Sequence, residues 1–222
     1  MEKPAIARHT GETGASRAGS LRLLGGALCL DFANTVSGRG GSQRIEHLHR
    51  YEHLLMWARH AGLLSEADAR QLGRAAARAP AAAGRALTRA MTLRDAIFAV
   101  CSALSQGRRA PALALAALNR AIAGAAGQRR LASSNGAFAW QWADQSGGLG
   151  DVLRPIALSA AELLLTLDRR RLKQCPGEHC GWLFLDETKS RTRRWCEMRV
   201  CGSRAKIRRF RRRRRVGSPA NS

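Results

Sequence analysis

The 222-residue sequence has no apolar run that approaches the roughly 20 residues needed to span a bilayer. Residues 23–30 are apolar, but this stretch holds two glycines, ends at Asp31 and has no small-residue cleavage site after it. A membrane span and a secretory signal are therefore not expected. Four of the six cysteines lie in two close pairs beside basic residues, which favours metal binding in a reducing compartment over disulfides. We expect a cytoplasmic protein without a membrane partner.

The sequence also lacks the patterns that usually mark an enzyme. Upstream of the paired cysteines there is no pair of carboxylates, no nucleophile with a base, and no glycine motif that cradles phosphate. A metal-dependent nuclease or a hydrolase is the weaker hypothesis. We expect a protein that binds its partner rather than one that catalyses a reaction.

Acidic residues are scarce, with 16 Asp and Glu against 38 Lys and Arg, so the formal net charge is +22. The excess is concentrated near the C-terminus, where residues 168–215 hold 18 basic and 5 acidic residues. Such a surface attracts polyanions from a distance. The candidate partners are DNA, RNA and an anionic membrane.

The composition, 45% hydrophobic, suits one domain of usual size and a small accessory module. Residues 1–20 are polar and aperiodic, which predicts a disordered tail. Residues 21–171 are predicted to form a mainly helical (α+β) domain. Its predicted helices cover residues 44–60 (ended by Gly62), 65–79 (capped by Ser65), 85–104, a stretch opened by Pro111, and 155–171. Residues 128–142 are predicted to form a β-hairpin.

Some polar residues of this domain have two interpretations. Asp31 and Asn34 interrupt an apolar segment and could bind a small ligand together with Arg94; we favour the alternative that their side chains hydrogen-bond the main chain. His49 and His53 lie one helical turn apart, a spacing that suits a metal. Because a third ligand is not evident, we favour solvent-facing histidines.

Apolar residues of the domain raise a similar choice. Cys29 and Cys101 sit among apolar residues and are expected in the core. Phe138, Trp140 and Trp142 alternate with small or polar residues, so the predicted hairpin carries them on one face. This face is either a ligand wall or part of the core, and we favour the core.

The C-terminal cysteines have the spacing of a metal site. Cys175 and Cys180 form one pair, Cys196 and Cys201 form another, and 15 residues separate the pairs. Two close pairs at this separation are typical of tetrahedral zinc. Four thiolates leave no open position, so the zinc is expected to be structural. Free or disulfide-bonded cysteines are the alternative, and His179 is expected to be a bystander.

The segment between the cysteine pairs is predicted to fold as a hairpin. Residues 182–185 read as a strand, residues 186–189 as a turn and residues 193–195 as the returning strand. So short a module buries little surface, so zinc is expected to supply much of its folding free energy.

The chain after Cys201 predicts a basic helix. Ser203 is placed to cap it, and a helix that follows a cysteine knuckle and a hairpin makes a treble-clef-like finger over residues 172–210. Such a helix fits the major groove of DNA. The residues predicted to contact nucleic acid are Arg193, Arg194, Arg204, Lys206, Arg208 and Arg209. Residues 211–222 are predicted to be a disordered basic tail that adds phosphate affinity.

RNA is an open alternative, because arginine reaches the phosphates of either nucleic acid. Trp182 and Trp195 could stack on unpaired bases, although we expect both to pack around the zinc.

The C-terminal residues resemble the CGNR zinc finger. The resemblance rests on Cys175, residues 180–184, Asp186, residues 188–189, residues 193–196, Met198, residues 201–204 and Lys206. Residues 30–35, 57–58, 62–63 and 94–96 are similar to its usual N-terminal partner, the ABATE domain. Together these matches cover residues 28–209. Ser203 departs from the asparagine of the CGNR motif, although serine can still cap a helix.

The resemblance implies a bacterial transcription regulator with one structural zinc ion and a finger that binds DNA. The N-terminal domain would then sense a small effector or mediate oligomerisation. A homodimer is compatible with this function, because a single small finger gains reach and specificity from dimerisation.

Overall fold

A computed structural model describes residues 16–39, 41, 44–134, 136–143 and 147–216. These residues form a mainly helical fold with small antiparallel strand pairs, which confirms the predicted fold class. The α-helices are α1 (Leu28–Ala33), α2 (Tyr51–His60), α3 (Glu66–Arg78), α4 (Pro80–Ser105), α5 (Ala112–Ala126), α6 (Leu153–Thr166) and α7 (Ser203–Val216). The strands are β1 (Val36–Ser37), β2 (Ile45–Glu46), β3 (Arg129–Ser134), β4 (Ala137–Trp142), β5 (Leu172–Gln174) and β6 (Leu183–Leu185).

The predicted disordered tail is only partly within the described residues. Residues 1–15 lie outside them. Ala18–Ser20 form a turn of 3₁₀-helix with Ala18 buried, and the Ser16 hydroxyl donates a hydrogen bond to the His47 carbonyl at 2.6 Å. The prediction is therefore wrong for residues 16–20, which are tied to the domain.

Helix α2 begins seven residues later than predicted. Ile45–Glu46 instead pair with Val36–Ser37, and the Glu46 carboxylate then accepts the backbone N–H groups of His47 and Leu48. This tertiary arrangement overrides the helical periodicity of residues 44–50.

The prediction of two solvent-facing histidines is confirmed for His49, which is exposed, and wrong for His53. His53 is buried, and its Nδ1 atom accepts the backbone N–H of His49 at 3.2 Å just before helix α2 begins. The two rings meet edge to face, 5.7 Å apart. Burial lowers the pKa of His53. The pair therefore secures the start of α2.

Helices α3 and α4 follow each other along the chain with a single residue between them. The capping box between Ser65 and Asp68 is present as predicted. Ala79 separates the helices, and Pro80 is the first residue of α4, so the predicted start at residue 85 is wrong. A proline fits this position because the first helical N–H has no partner in the helix.

Helix α1 occupies the centre of the core, between α4 and α6. Its Phe32 ring packs 4.9 Å from the ring of Trp57 on α2, and both side chains are fully buried. Cys29 and Cys101 are buried as predicted, and burial raises their pKa values to about 11 and about 12. Both thiols therefore stay protonated at neutral pH and behave as small apolar groups.

The predicted hairpin is confirmed, but its aromatic face is not in the core. Strands β3 and β4 pair with Leu131 opposite Trp140. Phe138 is 71% exposed and Trp140 is 60% exposed, and Arg129 stacks 4.9 Å above the Trp140 ring. Of the three aromatic residues only Trp142 is half-buried, and Arg154 of α6 lies 5.8 Å over its ring. Phe138 and Trp140 face solvent, so the core interpretation is wrong for these two residues.

Helix α6 starts two residues earlier and ends five residues before the predicted boundary. It covers Leu153–Thr166, and the chain then turns into strand β5. Leu172 of β5 and Leu183 of β6 are buried in the same core cluster as the helices. The C-terminal module thus packs directly on the helical domain. None of the described helices is both long and apolar enough to cross a membrane.

Candidate zinc centre and basic helix

The C-terminal module is built on strands β5 and β6, which pair antiparallel with Leu172 opposite Leu185. The first cysteine pair lies in the loop between them. Our prediction that β6 pairs with residues 193–195 is wrong, because those residues form no strand. Asp186 directs the chain elsewhere: its N–H still bonds Arg171, and its carboxylate then gathers residues 188–193 into an irregular loop.

The four predicted ligands converge on one point. Cys175, Cys180, Cys196 and Cys201 are all buried, and their sulfur atoms all lie within 4.8 Å of one another. The Cys180–Cys196 and Cys196–Cys201 sulfur separations are 3.5 and 3.7 Å. A tetrahedral zinc with Zn–S bonds of about 2.3 Å places its sulfur ligands roughly 3.8 Å apart. The donor set fits one structural zinc ion. Four cysteine sulfurs would fill all four positions of a tetrahedral ion, which leaves no coordination position for a substrate.

The backbone around the sulfurs is shaped for this cluster. Gly177 stands in the first loop, where an added Cβ would lie 3.5 Å from the sulfur atoms of Cys175 and Cys201. The Cys180 N–H closes the loop on the Gly177 carbonyl at 2.9 Å, and Gly181 leaves it with φ of +72°. Hydrogen bonds from Cys180 and the other thiols hold the pKa of Cys175 well below its usual range. Hydrogen bonds to Cys175 and other thiols of the cluster raise the pKa values of Cys180 and Cys196, so all four sulfurs become thiolates only when a metal ion displaces their protons.

The helical domain also reaches the metal site directly. The backbone N–H groups of Gly38 and Arg39 donate to the carbonyl of Cys180 at 2.9 and 3.2 Å. Trp182 packs between the main core and the cysteine cluster and donates its indole N–H to Ser37. Trp182 and Trp195 therefore both pack around the metal site, as expected.

The fully buried Asp186 pairs with the half-buried Lys173, and no sequence pattern identified this pair as part of the site. The Lys173 ammonium lies 2.5 Å from the Asp186 carboxylate and also donates to the Arg191 and Arg193 carbonyls. Burial acts to raise the pKa of Asp186, but hydrogen bonds from Lys173, Thr188 and Arg193 outweigh it and hold the pKa well below its usual range. The Asp186 carboxylate accepts the N–H of Thr188, two residues later, and an Asp at this spacing is the sequence signal of such a turn.

Arg193, predicted to contact nucleic acid, is turned inward. Its guanidinium donates to the carbonyls of Trp195, Cys196 and Leu185, and it lies 4.5 Å over the ring of Phe184. These contacts hold the second cysteine pair beside β6. Since the donors of Arg193 are used within the finger, we revise its predicted role from nucleic-acid contact to support of the metal site.

The basic helix extends further in both directions than predicted. A π-helical turn over Met198–Gly202 contains Cys201 and leads into α7 without a break. Ser203 has helical backbone angles and donates to the Met198 carbonyl at 3.4 Å, so its prediction as a cap is wrong. Helix α7 continues to Val216, which contradicts disorder for residues 211–216; residues 217–222 lie outside the described part.

The remaining predicted contact residues are on the surface of this helix or beside it. Arg194, Arg204, Lys206 and Arg209 are exposed, and within the described part of the chain no hydrogen bond or ion pair of their side chains is found. Arg208 forms an ion pair with Glu178 of the first cysteine loop, with 2.5 Å between nitrogen and oxygen. This pair ties α7 to the metal site.

The three residues considered for ligand binding have separate partners. Asn34 pairs with the backbone of Leu183 on β6, accepting its N–H and donating to its carbonyl, both at 2.8 Å. Asp31 accepts the N–H of Gly25 at 2.8 Å. Each therefore bonds main chain, the role that we favoured.

Arg94 is fully buried and forms a bidentate ion pair with Glu46, with bonds of 2.6 and 2.8 Å. Its neighbour Asp95 binds Arg39 at 2.5 Å. These two pairs hold the loop that donates to Cys180, so Arg94 supports the metal site from within the helical domain.

Comparison with known families agrees with this two-part organisation. Residues 171–214 match the CGNR zinc finger, and the zinc centre lies within this range. Residues 26–166 match the ABATE family, described as "Putative stress-induced transcription regulator". No curated protein matches the sequence. A family description and a four-cysteine finger together indicate a zinc-binding regulator. The chain belongs to the ABATE family and ends in a CGNR zinc finger.

Proposed function

We propose that this protein is a zinc-dependent, DNA-binding transcription regulator that acts by binding and not by catalysis. The observation that carries the proposal is helix α7. Nine of its 14 residues are Arg or Lys, none is acidic, and the helix starts from a zinc ligand.

The dimensions of α7 match the major groove. Fourteen residues make a helix about 21 Å long, and a helix of about 10–12 Å diameter fits a groove about 12 Å wide. Arg204 and Arg211 lie on one flank, while Lys206, Arg209 and Arg213 lie on the other. Both phosphate strands that border the groove are therefore within reach of cations.

The zinc determines where this helix points. Cys201 is both a ligand and part of the helical turn that leads into α7, and Arg208 joins α7 to the other cysteine loop. Metal removal therefore releases the start of the helix and is expected to abolish specific binding.

The finger and the helical domain are coupled by direct contacts. Asn34 bonds β6, and Gly38 and Arg39 bond the carbonyl of Cys180. A change of conformation in the helical domain, caused by an effector or by dimerisation, would reach the metal site through these contacts. Ligand sensing and a homodimer are both part of the proposal.

RNA is the competing partner. Its support from sequence was base stacking on Trp182 and Trp195, and both rings are engaged around the metal site. DNA is favoured because the outward surface of the finger is a helix and not an aromatic platform.

Sequencing of the nucleic acid that cross-links to the full chain in cells tests the proposal. The comparison is the helix variant, Arg204→Gln with Lys206→Gln and Arg209→Gln. We expect discrete DNA fragments with the wild type and their loss with the helix variant. Enrichment of RNA alone would support the competing partner, and no enrichment of either would reject both.

A further inference from the structure

A cavity lies in the helical domain, and none of the four cysteines lines it. It encloses about 580 Å³ between α4, α5, α6 and the loop of residues 148–151. Pockets that bind small molecules usually measure roughly 300–1,000 Å³ and often lie between packed helices. The cavity therefore has the size of a ligand site.

The lining divides into an apolar floor and a charged rim. The floor is made of Leu93, Ala117, Ala121, Ala125, Leu153 and Ala157. Arg89 of α4, Arg120 of α5 and Arg154 of α6 stand on the rim, with Asp151 as the acidic rim residue. Three positive charges against one leave an excess of two, and Arg89 and Arg120 are both exposed.

The loop that borders the cavity is held in place by hydrogen bonds. The Tyr51 hydroxyl donates to the Leu149 carbonyl at 2.8 Å, and the Asp151 carboxylate accepts the Gly148 N–H at 2.9 Å. Arg154 forms an ion pair with Asp151 at 2.8 Å. Because the loop is ordered by the protein itself, binding would not have to order it.

We propose that this cavity binds a small amphipathic anion, a molecule with an apolar body and one carboxylate or similar group. The apolar body would lie on the floor of small and aliphatic residues. The anionic group would lie at the rim against Arg89 and Arg120, where charge-assisted hydrogen bonds are strong. A neutral molecule of the same shape would leave the excess positive charge of the rim unmatched.

If the protein is the regulator proposed above, the amphipathic anion bound in this cavity is its effector; this identification rests on the proposed function. The binding of the anion itself does not depend on that function. Helix α4 carries Arg89 at the cavity, and further along it Ser102 donates to Gln174 of β5 at 2.8 Å. One helix therefore contacts both the cavity and the finger.

The test is fluorescence titration of the zinc-loaded full chain with 8-anilinonaphthalene-1-sulfonate, an amphipathic anion that brightens in apolar sites. Octanoate and octanol, which share a chain length, are the competitors. The rim variant is Arg89→Gln with Arg120→Gln. The charge control is Arg70→Gln with Arg78→Gln on exposed positions of α3, and Trp140→Ser reports any binding to the exposed hairpin.

We expect one saturable site, displacement by octanoate but not by octanol, and affinity at least about tenfold weaker in the rim variant. The charge control and Trp140→Ser should bind like the wild type. Unchanged affinity in the rim variant, equal displacement by octanol, or loss of binding in Trp140→Ser would each overturn the proposal. The assay contains no DNA, so its result is independent of whether the finger binds DNA.

Discussion

The side chain of Asn34 makes the hydrogen bonds to the backbone of β6 that a neighbouring strand would otherwise make. It is 2% exposed, and its amide both donates to and accepts from the buried backbone of Leu183. Replacement by alanine removes both hydrogen bonds and leaves the Leu183 N–H and carbonyl without their partner. The contact joins α1 to the finger, so the change acts on the junction between the two matched families.

The size of the effect follows from those two bonds. Each buried polar group left unpaired costs roughly 1–3 kcal/mol, so the two groups left by Asn34→Ala are expected to lower the free energy of unfolding by about 2–6 kcal/mol. That is a large part of the 5–15 kcal/mol that is typical of a whole domain. Urea unfolding followed by far-UV circular dichroism measures it.

Asn119→Ala is the matched control, since Asn119 is an exposed asparagine on α5. We expect it to change the free energy of unfolding by less than about 0.5 kcal/mol. If Asn34→Ala is equally mild, the structural role of Asn34 is refuted, and loss of ligand binding with intact stability would then mark it as a sensing residue.

Two further predictions concern buried charges. Burial raises the pKa of Asp31 to about 6, so ionisation is costlier in the folded chain, and the free energy of unfolding should fall as pH rises from about 4 to 6. Asp31→Asn should remove a fall on the order of 1–2 kcal/mol, the carboxyl being partly screened by water; identical pH profiles would contradict this. Arg193→Gln should speed the loss of zinc to a chelator, measured by metal analysis, while Arg194→Gln next to it should not; equal rates in both variants would show that Arg193 does not support the site.

The zinc site could be predicted from sequence because its geometry follows from local spacing. Two short loops each present two sulfurs, and few folds other than a metal site need that pattern. Helix boundaries were also predictable where one residue controls the end, as with Ser65 and Gly62. Where the boundary depends on a tertiary contact, as with Glu46 and Arg94 before α2, periodicity alone placed it wrongly.

The roles of single side chains were harder to predict. Arg193 and Arg194 are chemically identical neighbours, and only the fold shows that one turns toward the carbonyls of the finger and the other toward solvent. The exposure of Trp140 was equally hard to predict. Alternating aromatic residues predict that the aromatic side chains share one face of the hairpin, but a buried and an exposed hairpin have the same alternation. Strand β6 pairs with β5, which precedes Cys175 in the chain, and no short-range sequence pattern predicts that pairing.

The charge of α7 is the part of the account that can be tested most directly. Each phosphate contact contributes about 0.9 to the slope of the logarithm of the affinity for duplex DNA against the logarithm of salt concentration. The helix variant removes three charges at Arg204, Lys206 and Arg209, so its slope should be shallower by roughly 2.7. Anisotropy titrations of a labelled duplex with the zinc-loaded full chain at several salt concentrations give the slope.

The decisive comparison is with a variant that loses the same charge elsewhere, Arg70→Gln, Arg74→Gln and Arg78→Gln on one exposed face of α3. We predict that this α3 variant keeps the slope of the wild type, that the helix variant loses about three contacts, and that a zinc chelator abolishes tight binding. Equal slopes in the helix and α3 variants would show that net charge alone attracts the DNA, and would contradict the assignment of binding to the zinc-anchored helix.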